Sequence, residues 1–454
     1  MPTRLCAPID VQIEVTELCN QNCSHCYNYW RPVNLNDSAK SLSLPAIKRI
    51  IDQLVINQVP FITITGGEPF VKRTETFELI KLAEEAGMHI SINSNFSLIN
   101  ALDIDFLAGR KNLSMLVSLL SAEAEEHERL SNSPKGRFGQ VITKLQMAIS
   151  KGISIGVNMV IRKDNIHAMF DTATLVKKLG ARSFCATRVL PNVAGGDSSF
   201  LLSPEDILLS LEVLMRIEKE LMIPVDILGC YPKCLLVGTQ FFKRFYHRIC
   251  VAGCTTLTIG ADGAMRPCSH VDVSYGNILN EPLEVAWDRI DVWRVGKFFP
   301  TNCLSCSLLD SCRGGCRVNN QDSILSKDDM HIARHRLDEF VITDLKPDVI
   351  NEVVEVPGIL VVHPNTKFRK ESFGSTAYRD DFPTIILLNN KVTEFLKQVL
   401  YHKKVMTFPE FLQYSGVTSD VEEKSVKNLY KKLYRKKILV EPKQEGGDKN
   451  EQPS

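Results

Sequence analysis

Cysteine is bunched along this chain, and the bunching limits what the chain can fold into. Of its 14 cysteines, Cys19, Cys23 and Cys26 form a C-x3-C-x2-C run near the N-terminus. Cys250, Cys254, Cys268, Cys303, Cys306, Cys312 and Cys316 crowd a second region, the last four spaced C-x2-C-x5-C-x3-C. The opening residues Met1 to Cys6 lack the apolar core of a signal peptide, so a disulfide framework is not expected and metal binding accounts better for the spacing. The segment from about 225 to 316 has few long apolar runs of its own. Metal clusters are expected to supply much of its folding energy.

The rest of the pattern predicts an α/β fold. Between residue 10 and about 222, six β-branched runs alternate with amphipathic segments: Val11 to Thr16, Phe61 to Thr65, Met88 to Ile92, Leu113 to Leu119, Ile153 to Ile161 and Arg182 to Val189. Pro45 opens one helical segment, and Gly87, Gly152 and Gly180 sit where others should stop. Such β/α units predict parallel strands in an open, partial (β/α)6 barrel with its active site at the C-terminal strand ends. A length of 454 residues allows two or three domains. The expected parts are a barrel over 1–222, a cysteine-rich domain over 223–348 with a charged connector, a small α+β module of winged-helix type over 349–441, and a disordered tail over 442–454.

A net charge of +1 gives no basis for nucleic-acid binding. The basic run Lys427 to Lys437 carries Leu429, Leu433 and Ile438 at helical spacing and reads as a solvated helix face. No run of eighteen apolar residues occurs, so no membrane span and a cytoplasmic location are expected.

The first cysteine group has a specific chemistry open to it. Three thiolates leave one iron of a 4Fe-4S cluster without a protein ligand, and that iron can take a small molecule. A zinc site completed by His25 is the alternative. After the second strand, at the same barrel end, comes Gly66-Gly67-Glu68-Pro69. Its glycines let the backbone approach a ligand closely, and Glu68 can accept hydrogen bonds from an ammonium group.

With these two motifs, residues 9 to 222 resemble the radical S-adenosylmethionine superfamily. The resemblance implies that the open iron chelates S-adenosylmethionine, whose reductive cleavage yields a 5'-deoxyadenosyl radical that abstracts hydrogen from substrate. It implies Tyr27 near the cofactor, Asn95 in a cofactor-side turn and Ser118 in the fourth strand as a cofactor contact. Arg188 is a candidate partner for the methionine carboxylate, with a structural salt bridge as its alternative. The sequence departs from the family at Phe96, where glycine is usual, and at Leu120-Ser121, where Asp-Gly is common.

The second group resembles the SPASM auxiliary-cluster domain, strengthened by Val251-Ala252-Gly253, Gly263, Gly276-Asn277-Ile278 and Gly314-Gly315-Cys316. That resemblance implies one auxiliary 4Fe-4S cluster on Cys250, Cys254, Cys268 and Cys316, and a second on Cys303, Cys306 and Cys312, making three clusters with the first. The family completes the second cluster with a later cysteine, and this chain has none after Cys316. His331, Asp328 or Asp329, an open iron, or a ligand from elsewhere remain for that place; a zinc ribbon is the alternative for the whole set. Cys6 and Cys185 read as small buried hydrophobes. Cys230 and Cys234 could act near substrate, as ligands or hydrogen-atom donors.

The C-terminal segment resembles the precursor-recognition domain related to the peptide-binding protein of pyrroloquinoline quinone biosynthesis. The resemblance rests on Phe368-Arg369-Lys370-Glu371-Ser372-Phe373-Gly374, Leu388-Asn389 and Lys437-Ile438-Leu439-Val440. It implies β-augmentation by a leader peptide. The expected activity is maturation of a ribosomally made precursor peptide bound through its leader, with an electron donor such as flavodoxin or ferredoxin. A formylglycine-forming sulfatase maturase and a non-catalytic iron-sulfur redox regulator are the rival expectations.

Overall fold

All six β-branched runs become adjacent parallel strands: β1 (Asp10–Glu14), β2 (Phe61–Thr65), β3 (His89–Ser94), β4 (Leu113–Ser118), β5 (Ser154–Ile161) and β6 (Ser183–Arg188). The computed structural model describes residues 4–28, 39–190, 199–296, 298–300, 303–318, 355–415 and 420–442. His331, Asp328 and Asp329, the connector and the tail beyond 442 lie outside these residues. The chain divides into two compact units, one containing Ala7–Asp348 and the other Val349–Ser454 with Thr3–Cys6.

In the larger unit the helices bind the sheet through single apolar faces. The helix Leu44–Ile56 starts where Ser43 accepts from the Ala46 N–H, and it buries Ile47, Ile50, Ile51 and Leu54. Val11, Ile13, Ile62, Ile64, Ile90 and Ile92 come from the strands into the same core. Parallel register sets Glu14 opposite Thr65, so β1 and β2 end at one level and their following loops meet.

Three further strands join this sheet: β7 (Val225–Ile227), β8 (Thr256–Ile259) and β9 (Met265–Arg266), giving the order β7-β6-β5-β4-β3-β2-β1-β8-β9. β8 runs parallel to β1, with Asp10 opposite Thr256, and β9 turns back on it. The cysteine-rich region is thus hydrogen-bonded to the first strand. Four residues, Thr256 to Ile259, carry too short a pattern to announce a pairing across more than two hundred residues.

The smaller unit holds β10 (Val361–Val362) paired with β14 (Leu439–Val440), and an antiparallel sheet of β11 (Thr366–Glu371), β12 (Gly374–Arg379) and β13 (Ile385–Asn389). Helices Asn390–Tyr401, Phe408–Ser415 and Asp420–Arg435 pack with them. The hairpin of β11 and β12 goes beyond the two strand runs legible in the sequence. Thr-Lys-Phe-Arg-Lys-Glu reads as polar, yet Arg369 and Glu371 are buried as an ion pair of 2.8 Å. Cys6 is a correction: it is exposed, not a buried hydrophobe. Its backbone N–H donates to Glu371 and its thiol to the Lys370 carbonyl, so polar bonding and not packing fixes it. Cys185, in β6, is buried as expected. Among the described residues no helix is long and apolar enough to cross a membrane.

Candidate functional site

The loop after β1 carries Cys19, Cys23 and Cys26, all partly exposed, and turns where the Cys26 N–H meets the Cys23 carbonyl at 3.1 Å. It is stitched to the loop after β2: the Gly67 N–H donates to the Thr16 carbonyl at 2.7 Å and the Glu68 N–H to the Leu18 carbonyl at 2.8 Å. A Cβ on Gly67 would lie 2.0 Å from the Leu18 oxygen, and one on Gly66, at φ 137°, 2.5 Å from the Thr16 oxygen. The two glycines therefore let this loop approach the backbone of Thr16 and Leu18 closely.

Glu68 is almost fully buried, and its carboxylate ties the loop after β2 to the end of β3. It accepts from the Ser94 hydroxyl at 2.8 Å, the Asn95 N–H at 2.8 Å and the Phe70 N–H at 3.3 Å. Burial outweighs these donors and pushes its pKa up to about 7. Asn95 in turn reaches the cysteine loop, with its amide 3.0 Å from the Asn20 oxygen and 4.0 Å from the Cys19 sulfur. Phe96, buried at φ 62°, takes the left-handed turn with a side chain where the family has glycine.

Tyr27 stacks on His270, with ring centroids 4.4 Å apart and planes at 28°. His270 lies two residues past Cys268 and contacts its sulfur through the backbone N–H at 3.5 Å and Nδ1 at 3.7 Å. The first cysteine loop and the second cysteine region thus share one aromatic contact. Sequence reasoning missed His270; its place beside Cys268 was the available signal. A buried ion pair of Glu14 and Arg266 makes a second link, and burial pushes Glu14 up to about 7 against the pull of Arg266.

Ser118 closes β4, half-buried and opposite Asn158 of β5. Arg188, buried at the end of β6, donates to the Cys230 carbonyl at 3.3 Å and lies 5.3 Å from the Tyr231 ring centre. These contacts hold the Cys230 loop against the strand ends.

In the second region the Cys230 thiol hydrogen-bonds to the thiols of Cys250 and Cys316. Cys250 is held well below the usual thiol range by Cys230 and by the Arg317 guanidinium, whose Nη2 is 3.5 Å from its sulfur. Cys268 feels the charges of Cys250 and Cys316, and burial pushes it up to about 12. Cys254 is buried and feels Cys250 as well. Cys303, Cys306 and Cys312 group apart from these: the Cys306 N–H meets the Cys303 carbonyl at 2.9 Å, and Gly314, which donates to Cys312, packs near the Cys303 sulfur. Arg317 was also missed; it is fully buried beside Cys316 and donates to the Trp293 and Ala252 carbonyls.

The donor sets fit iron-sulfur clusters. One loop presents three partly accessible thiols on a pinned backbone, and soft thiols with guanidinium and N–H donors around them suit anionic clusters. Among the described residues no three His, Cys, Asp or Glu side chains converge on a single-ion site; His25 Nδ1 is buried there without a hydrogen-bond partner.

Residues 13–176 match the Radical SAM superfamily model, which implies a 4Fe-4S cluster and S-adenosylmethionine. The chain is 26% identical over 304 residues to the AdoMet-dependent heme synthase of Methanosarcina barkeri, covering 63% of this chain and 84% of that protein. It is 27% identical over 330 residues to the mycofactocin maturase MftC of Mycobacterium tuberculosis, covering 68% and 78%. Its fold is similar to that of Streptococcus suis SuiB bound to S-adenosylmethionine, with a TM-score of 0.61 at 20% identity over 72% of this chain and 78% of that one. SuiB bound to the precursor peptide SuiA superposes with a TM-score of 0.61 as well. Strand order, cysteine loop, paired glycine loop and family match agree, and this chain carries a radical SAM domain.

Proposed function

We propose that the chain is a radical S-adenosylmethionine peptide maturase, acting on a ribosomally made precursor. The observation that carries the chemistry is the stitching of the Cys19, Cys23 and Cys26 loop to Gly66-Gly67-Glu68 at adjacent strand ends. When bound there, the cluster and S-adenosylmethionine supply a 5'-deoxyadenosyl radical that removes hydrogen from substrate. The chain's own residues do the placing. Glu68 and Asn95 lock the cysteine loop, Tyr27 walls it on the His270 side, and Arg188 is the cationic group held at the end of β6. Ser118 stands at the same strand-end level.

Cys250, Cys254, Cys268 and Cys316 are the proposed ligands of one auxiliary cluster, and Cys303, Cys306 and Cys312 of another. The parts we assign are a barrel over 1–222, the cluster region over 223–348 and a recognition module over 349–441. MftC, a maturase by name, and SuiB, solved with a precursor peptide, support the substrate class. In the smaller unit β13 ends the sheet and exposes Leu387, which offers an edge for a leader strand. An electron donor of the flavodoxin or ferredoxin type would reduce the first cluster.

The heme synthase likeness favours a second substrate class, a tetrapyrrole. The two separate in one experiment: reduced enzyme with S-adenosylmethionine is given either a leader-bearing precursor peptide or a tetrapyrrole carboxylate. The maturase reading expects 5'-deoxyadenosine together with a changed peptide mass. Conversion of the tetrapyrrole with the peptide untouched would overturn it.

A further inference from the structure

Four thiolates ordinarily hold a 4Fe-4S cluster, and Cys303, Cys306 and Cys312 supply three. We propose that the fourth comes from upstream, from Cys234. This rests on the reading that those three cysteines hold a cluster.

The argument starts from Lys233. Its backbone N–H donates to the Cys312 sulfur at 3.2 Å, in a buried contact between residues 79 apart in sequence. Gly314 and Gly315 also donate backbone N–H groups to that sulfur. Cys312 thus sits in a ring of N–H donors, the surroundings that stabilise a cluster-bound thiolate. One peptide unit further, about 3.8 Å from Cα to Cα, the chain places Cys234.

The segment around it is fixed. Tyr231, Lys233, Leu235 and Leu236 are all buried, while Cys234 between them is partly exposed. The Lys233 ammonium lies 4.5 Å from the centre of the Tyr246 ring, which turns that charge away to an aromatic face. Cys230, four residues earlier, is already committed elsewhere, its thiol against Cys250 and Cys316. Among the described cysteines of the larger unit, Cys185 sits inside β6. Cys234 is the residue directly after Lys233, whose N–H reaches Cys312. The Cys-Tyr-Pro-Lys-Cys loop therefore spans both auxiliary sets, touching one through Cys230 and completing the other through Cys234.

The test uses the full chain, reconstituted anaerobically, with Cys19, Cys23 and Cys26 replaced by Ala so that the open iron of the first cluster is out of view. About eight irons per chain are expected in that background. Adding Cys234→Ala should leave one iron held without a thiolate. Brief oxidation with ferricyanide should then release it, to about seven irons, with a three-iron electron paramagnetic resonance signal. His331→Ala should keep all eight and show no such signal. The reverse pattern, iron loss from the His331 variant with Cys234→Ala unaffected, overturns the proposal. Should the alanine variant fail to fold, Cys234→Ser keeps an oxygen donor and should shift the midpoint potential of one cluster; an unchanged potential overturns the assignment. Cys306→Ala tests the underlying reading separately, since iron unchanged in that variant means no cluster stands on these cysteines.

Discussion

Glu68 shows how one buried residue can organise loops from three strands, its carboxylate reaching Ser94 and Asn95 and its N–H reaching Leu18. Its pKa in the folded chain is pushed up to about 7 from an ordinary value near 4.5. The native state therefore holds the proton more tightly than the unfolded chain between those values, and linkage makes stability fall as pH rises through that window. The full effect is on the order of 3 kcal/mol. In the protein without S-adenosylmethionine, urea denaturation should give a lower midpoint at pH 7.5 than at pH 5 from this group. Glu68→Gln should flatten that part of the dependence, because a neutral amide has no proton to lose. An identical pH profile in the variant would sink this assignment of the titrating group.

At the scale of elements, the meeting of two loops is more demanding than either strand. The Gly67 N–H bonds to Thr16, and its Cα sits so close to the cysteine loop that any side chain would strike the Leu18 carbonyl, at 2.0 Å for a Cβ. Backbone has no rotamer to move aside. Gly67→Ala should displace the Cys19 loop and lower reconstituted iron by about four per chain, the content of one cluster. The other clusters should remain, since Cys250 and Cys312 are held by Arg317 and Lys233 and not by this contact. Full iron in Gly67→Ala, measured by a colorimetric iron assay, would refute that account.

For the whole molecule, the division into two units separates radical chemistry from the proposed recognition. Removing residues 353–454 should leave unproductive S-adenosylmethionine cleavage largely intact, while affinity for full-length precursor drops by at least tenfold, about 1.4 kcal/mol. Fluorescence anisotropy with a labelled precursor reads the second quantity and 5'-deoxyadenosine release the first. Unchanged precursor affinity after truncation would remove the recognition role from this module.

The sequence by itself determined what depends on short spacing along the chain. The Cys19, Cys23 and Cys26 loop, the glycine pair after β2 and the six strand runs were legible because ligand spacing and side-chain alternation are local properties. Only the tertiary structure decided what depends on residues far apart. It joined β8 to β1, brought Cys230 to Cys250 and Cys316, stacked Tyr27 on His270 and turned Gly66 and Gly67 toward the cysteine loop. It also buried the Arg369–Glu371 pair in a strand that reads as polar. Apart from that pair, whose partners are two residues apart, each of these is a contact between distant segments that no single stretch of sequence contains, and the buried apolar surface around them holds the segments together.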